Sequence, residues 1–160
     1  MDPLGAMIGS ALFRGLPMVA CQKFASIANP RQLNKGDYLF RLGEPANTLF
    51  IIRSGTVHLT MPLTMRAGER EVVVQEAGIG ETLAWSALIE PYRFTMSARG
   101  GSDVDLLAFA TRDMQATFAA NPDAGLQVMT NLATVVAQRL QVMHAICTRD
   151  LQRAVQETFG

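Results

Sequence analysis

The sequence predicts one mainly β domain, a sandwich or barrel, flanked by N-terminal helices and followed by a single long C-terminal helix. Three observations predict it. From residue 31 to residue 110, short segments rich in aromatic and β-branched residues alternate with glycine-bearing turns about every eight to twelve residues. Ahead of them, residues 10–28 hold apolar residues at helical spacing. After Asp123, no proline, and no glycine beyond Gly125, interrupts the chain until Gly160.

Composition bounds what such a chain can be. Its 160 residues suit one domain, and with 49% hydrophobic and 18% charged residues it can build a sizeable core. Cations and anions balance at 14 each, which leaves no electrostatic footprint for a free-standing DNA binder. No apolar run approaches a membrane span. The first residues, MDPLGAMIGSALFRGL, make a poor secretory signal, because an acid opens them and Arg14 cuts their apolar run. Two cysteines far apart in sequence, Cys21 and Cys147, fit a reduced cytoplasmic setting.

Taken in order, Leu12, Phe13 and Leu16 mark a short first helix, and Pro17 separates it from a second. Met18, Val19, Phe24 and Ile27 read as the core-facing stripe of that second helix, with Cys21 as a small buried hydrophobe. Asn29-Pro30 stops it. Strands are expected at residues 38–41, 48–53, 56–61, 71–76, 94–98 and 105–110. The third alternates polar and apolar, so one face should be wet. Residues 65–69 supply a polar hairpin connection, and Gly100, Gly101 and Asp103 a turn. Thr111 is a plausible N-cap for a helix that ends near Asn121-Pro122.

The last helix is the longest pattern. Met129, Ala133, Val136, Leu140, Met143 and Cys147 recur at spacings of four, three, four, three and four, with Leu151 and Ala154 near the continuing seam. Leu132, Val135, Val142 and Ile146 form a second apolar edge. A helix of about 35 residues is roughly 50 Å long, more than one small β domain covers. The surplus stripe implies a homodimer around a two-fold axis. Cys147 on the seam reads as a quiet buried thiol.

The stretch with most chemical promise is 78–98, GIGETLAWSALIEPYRFTMSA. Two glycines turn the chain into a short helical segment. Small residues at Ala84, Ser86 and Ala87 let a ligand approach free backbone N–H groups there. Arg93 is placed to clamp a phosphate or carboxylate bidentately. A small anionic ligand is the expectation.

Lys35-Gly36-Asp37-Tyr38-Leu39-Phe40, followed by Gly43-Glu44-Pro45-Ala46-Asn47-Thr48-Leu49-Phe50-Ile51-Ile52-Arg53-Ser54-Gly55-Thr56-Val57, resembles the front half of the cyclic-nucleotide-binding domain family. The resemblance covers about residues 12–147 and is closest to the sensor half of bacterial catabolite-activator-type regulators. Ala137-Gln138-Arg139-Leu140-Gln141-Val142 is similar to their dimerisation helix. It implies a double-stranded β-helix, a jelly-roll or cupin-like β-roll of two short sheets, with N-terminal helices and a long C-terminal dimer helix. The boundaries it implies are 10–122 for the roll with its flanking helices and 123–157 for the dimerisation helix.

The family's ligand cassette resembles G-D-x-x-G-E-x-A-L, a loop, then R-S/T-A, in which the Glu binds the ribose and the Arg holds the cyclic phosphate. In this chain Glu81 falls on the first acid, Ala84 on the glycine, and Trp85 on the ribose-binding Glu. Arg93 lies near the family's Arg, while counting back from the next strand puts Phe94 in its place. An indole N–H donates but cannot accept from a ribose hydroxyl. The resemblance implies a ligand site of Ala84, Trp85, Ser86, Ala87, Arg93 and Thr95, with His144 reaching over from the long helix. Bland roles stand beside these: an exposed ion pair for Arg93, pocket filling for Trp85, a helix cap for Ser86, an ordinary exposed histidine for His144.

Catalytic signatures are missing from the sequence. His58 and His144 are the only histidines and lie far apart, so no metal site is expected. There is no phosphate loop of the G-x-x-x-x-G-K type and no G-x-S-x-G. The expectation is a non-enzymatic, dimeric sensing domain that signals through its C-terminal helix, with no assigned cofactor and a cyclic nucleotide as the ligand class implied by resemblance. Two alternatives stand beside it. One is a ligand-free interaction module whose pocket Trp85 fills. The other is the sensor half of a transcription regulator, although residues 148–160 are too short to add a DNA-binding domain in this chain.

Overall fold

The computed structural model describes residues 3–159. The chain opens with α1 (Pro3–Ile8), a 3₁₀ turn (Ala11–Phe13) and α2 (Met18–Ser26). The strands follow: β1 (Asn29–Leu33), β2 (Tyr38–Phe40), β3 (Thr48–Ser54), β4 (Val57–Met65), β5 (Gly68–Ala77) and β6 (Thr82–Leu83). A second 3₁₀ turn (Trp85–Leu88) leads to β7 (Ser97–Gly100) and β8 (Val104–Ala110), and α3 (Thr111–Ala120) and α4 (Pro122–Phe159) end the chain. One four-stranded sheet has the order β1-β8-β3-β6 and the other β2-β7-β4-β5, every pairing antiparallel. This is the β-roll with flanking helices and a long C-terminal helix.

Strand β3 shows why its sequence is a continuous apolar run. Leu49, Phe50, Ile51 and Ile52 are all buried, because β3 lies inside its sheet and both of its faces are covered. Strand β4 instead alternates only at its start and then runs out into an exposed hairpin with β5. The turn after β3 requires glycine. Gly55 has φ +82°, and a Cβ there would stand 2.2 Å from the Asp103 carbonyl oxygen.

Helix packing departs from expectation at several points. Helix α1 is an addition, and its Met7 is buried in the core. In α2 the inward face is Cys21 and Phe24, whereas Met18 and Val19 are 53% and 65% exposed. The Phe24 ring decides this, lying 5.2 Å from Phe13 and 6.0 Å from Phe118, so the first turn of α2 points away. Thr111 does not cap α3. Ala110 holds the cap position, and the Thr111 hydroxyl donates instead to the Ala87 carbonyl at 2.8 Å.

The strands also differ from expectation: β4 and β5 extend to Met65 and from Gly68, so most of the expected 65–69 connection is paired strand. Strand β1 starts at the Asn29-Pro30 pair that signals a helix stop, and it lies at a sheet edge, where proline is tolerated. Strand β6 has two residues, too few to leave a periodic signal. Pairing of β7 begins only at Ser97, because residues 92–94 are bonded elsewhere, and Gly100 belongs to the strand rather than the turn.

Helix α4 is 38 residues long, about 57 Å at 1.5 Å per residue. Pro122 opens it, where a missing N–H costs nothing, and Asp123 in the first turn complements the helix dipole. Its proximal half is tied to the domain. Val128 and Leu132 are buried, Met129 and Val136 pack against the core, and the Asn131 amide donates to the carbonyls of Leu12 at 2.9 Å and Arg14 at 2.8 Å. Gly125 lets α3 and α4 meet, since a Cβ there would lie 3.0 Å from that of Phe118. The distal half is different: Leu140, Val142, Met143, Cys147, Leu151 and Val155 are exposed in the single chain. Cys147 is therefore not buried by its own domain. Among the described residues, no helix is long and apolar enough to cross a membrane.

Candidate functional site

The cassette begins where Gly80 donates to the Ile52 carbonyl at 2.8 Å and Ile52 donates to Glu81 at 3.1 Å, anchoring it on β3. The Glu81 carboxylate accepts from the Gly78 N–H at 2.7 Å and closes the turn. Ala84 then takes φ 63°, ψ 33°, the left-handed conformation that favours glycine. An alanine there costs about 1–2 kcal/mol, which the surrounding fold must supply. The 3₁₀ turn that follows carries no side-chain cap, so Ser86 does not serve as one. Ser86 and Ala87 are both buried within it.

The loop beyond the turn is stitched to the Gly43-Glu44-Pro45 turn. Ala46 donates to Tyr92 at 2.7 Å, Phe94 to Glu44 at 3.0 Å, and Gly43 to Phe94 at 2.8 Å. The Arg93 side chain follows the same path: it is exposed, and Nη1 donates to the Gly43 carbonyl at 2.9 Å. Phe94 turns inward and stacks on Phe40 with ring centroids 4.0 Å apart. Phe40 in turn stacks on Phe50 at 6.4 Å, and the Arg31 guanidinium carbon lies 5.4 Å from the Phe50 centroid. An aromatic column thus fills the position next to Arg93.

Ala84, Trp85, Ser86 and Thr95 do converge. With Phe94 and Arg139 they line a cavity of about 20 Å³. That is room for about one water, whereas ligand pockets typically measure about 300–1,000 Å³. Ala87, Arg93 and His144 are not in its lining, and His144 lies on the exposed part of α4.

Arg139 is the side chain that the sequence reading does not place at this site. It reaches from α4 onto the cassette, its side chain only 16% exposed, and Nη2 donates to the Thr82 carbonyl at 3.0 Å. Glu81 Oε1 lies 3.8 Å away. Burial pushes the guanidinium below its ordinary pKa, and Glu81 opposes that shift. The signal was present in the helix pattern: Leu132, Val135, Val142 and Ile146 form one edge, and residue 139 fills its missing step with a cation.

On either side of Arg139, α4 leaves an open cleft. One, of about 330 Å³, runs along Glu81, Thr82, Gln138 and Ile146. The other, of about 320 Å³, lies between the β4–β5 face and α4, against Met61, Val74, Trp85, Met96, Leu140 and Met143. Neither has metal-binding character, and among the described residues no group of three or more His, Cys, Asp or Glu could hold a metal ion.

Comparison with known proteins agrees with this architecture. The family model for the cyclic nucleotide-binding domain matches residues 30–121. Glutaminase 1 of Bradyrhizobium diazoefficiens is 31% identical over 136 residues, covering 84% of this chain but 21% of that protein. Patatin-like phospholipase domain-containing protein 6 of Pongo abelii is 28% identical over 138 residues, covering 81% of this chain and 10% of that protein. The chain thus spans about a fifth or less of the length of these curated relatives. Among solved structures, the Thermus thermophilus catabolite activator protein superposes with a TM-score of 0.72 at 28% identity, over 90% of this chain and 63% of that one. The β-roll, the cassette position and the matched residues lead to one conclusion: the chain belongs to the cyclic nucleotide-binding domain family.

Proposed function

We propose that this chain is a non-catalytic regulatory domain that senses a small anion at the cassette, passes the signal to α4, and works as a homodimer through the distal half of that helix. The observation that carries this reading is the bond from Arg139 to the Thr82 carbonyl. It joins the ligand cassette directly to the helix that leaves the domain. A ligand with unequal affinity for the joined and parted arrangements shifts the balance between them. Ala84, Trp85, Ser86 and Thr95 form the site, with Ala87 beneath it, and Arg93 and His144 would reach it only after the 91–94 loop or α4 moves. The dimer is supported by the exposed distal stripe, which the domain itself does not cover. The small share of the relatives' length that this domain represents supports a regulatory unit within larger proteins. The two free cysteines support a reduced, cytoplasmic setting.

Isothermal titration with cyclic AMP, cyclic GMP and cyclic di-GMP tests the nucleotide version. Saturable heat with one of them is the expected result, and no heat with no thermal shift for all three would sink it. A specific observation favours a second reading, a ligand-free interaction module: the cassette cavity is only about 20 Å³ and faces Trp85 and Phe94. On that reading Trp85→Glu gains nucleotide binding that the natural chain lacks. The third possibility, the sensor half of a transcription regulator, draws its support from the catabolite activator protein likeness. The full length of the encoding gene decides it.

A further inference from the structure

The cleft between the β4–β5 face and α4 has a chemistry unlike that of a nucleotide site. Among the described residues, Arg139 is the only charged one in its lining; most of the rest is apolar, including Met61, Val74, Trp85, Met96 and Met143. A ribose and a base seated there would bury several hydrogen-bonding groups against methionine and valine. Each one left unpaired costs about 1–3 kcal/mol, so the lining rejects such a ligand. A neutral hydrocarbon would fit the walls but make no use of the guanidinium. Arg139 has five N–H donors; its side-chain bond is the one to Thr82, and Glu81 at 3.8 Å stands beyond hydrogen-bond distance. Gln75 and Thr95 are the two neutral polar residues of the lining.

We propose that this cleft binds an amphiphilic monocarboxylate, its carboxylate on Arg139 and its apolar body along Met61, Val74, Trp85 and Met96. Charge complementarity selects the occupant: the mostly buried Arg139 is the charge that faces this cleft, while its ion-pair partner Glu81, 3.8 Å away, lines the neighbouring one, so an anionic head is favoured here. The volume of about 320 Å³ suits a medium-chain acyl or aryl-alkyl body. The carboxylate competes with the Thr82 carbonyl for Arg139, so binding loosens α4 from the cassette. This deepens the sensor reading above, and rests on it, by naming a ligand class for the Arg139 latch.

Trp85 is the sole tryptophan and lines the cleft, so its fluorescence reports occupancy. The whole chain is titrated with decanoate below its micelle concentration, and in parallel with decanol and with the three cyclic nucleotides. The expected result is saturable decanoate binding at least tenfold tighter than decanol. Arg139→Gln is expected to weaken decanoate about tenfold or more and leave decanol unchanged. Should Arg139→Gln fail to fold, Gln75→Glu, which adds a carboxylate to the lining at nearly constant size, is expected to act in the same direction. Equal affinity for decanoate and decanol, or decanoate binding that survives both substitutions, overturns the proposal. A response confined to dilute monomer overturns it too and assigns the cleft to the partner copy's helix. If cyclic nucleotides bind and decanoate does not, the ligand class falls while the sensor reading stands; if neither binds, both fall.

Discussion

The two halves of α4 carry the same kind of apolar repeat and meet opposite fates. In the proximal half, Val128 and Leu132 are buried, and Asn131 locks the helix to the N-terminal 3₁₀ turn. In the distal half, Leu140 and Met143, which continue the seam of Met129 and Val136, and Leu151 beyond them face solvent at 54%, 41% and 67% exposure. Helical periodicity shows that a face wants covering and is silent about what covers it. The β-roll ends near Arg139, and there the helix changes from an element of the core to one that leaves it. Arg139 marks the border, with its stem among apolar side chains and its head on the cassette backbone.

The sharpest way to break this comparison is to cut the proximal half. Leu132→Ala removes a side chain only 1% exposed and is expected to cost about 2–5 kcal/mol, read as a lower thermal midpoint. A loss below about 0.5 kcal/mol would erase the distinction between the halves. At the border, Arg139→Ala removes a charged donor and leaves the Thr82 carbonyl without it, for an expected loss of about 1–3 kcal/mol in denaturant unfolding. Unchanged stability would mean the latch holds nothing.

In the distal half, Leu151→Glu is expected to change unfolding free energy by no more than about 0.5 kcal/mol, as for surface positions generally. The same substitution should abolish self-association in sedimentation equilibrium. A natural chain that stays monomeric at every concentration would remove the dimer from the proposal. The smallest effect is chemical. Burial raises the Cys21 thiol above its ordinary pKa, so it stays protonated, and unreactive, at a pH where an unburied thiol has begun to ionise. Alkylation followed by mass spectrometry at mildly alkaline pH should therefore modify exposed Cys147 before Cys21. The linkage sign follows: the stability that a protonated Cys21 provides is full below the ordinary thiol value and declines as pH rises through its raised one. Slower modification of Cys147 at high protein concentration would place it on the dimer seam.

Much of the fold was legible because it leaves periodic or punctuated signals. The buried run of β3, the Ser54-Gly55 turn and the unbroken helix after Pro122 all do so. Strand β1 hid behind its Pro30, and β6 was too short to read. At the site, alignment to the cassette located Ala84, Trp85 and Ser86, which do share a cavity with Thr95. It also marked Arg93 as the clamp, yet that side chain bonds to Gly43, and the cation at the cassette comes from Arg139, 46 residues further on. Local motifs carry no information on which distant side chain reaches the same spot.

The sequence alone therefore determined a mainly β domain and a helix too long for one domain to cover, which follow from turn residues and hydrophobic period acting within a few residues of one another. Its resemblance to the cyclic-nucleotide-binding family added the β-roll and the rewritten cassette with Trp85 in the acid's place. Tertiary structure alone decided that Phe94 fills the space beside Arg93, that Arg139 supplies the cation, and that open volume lies beside α4 rather than inside the cassette. Those outcomes depend on how elements far apart in the chain pack, where a difference of one helical turn exchanges an arginine for a valine or a methionine against the same wall.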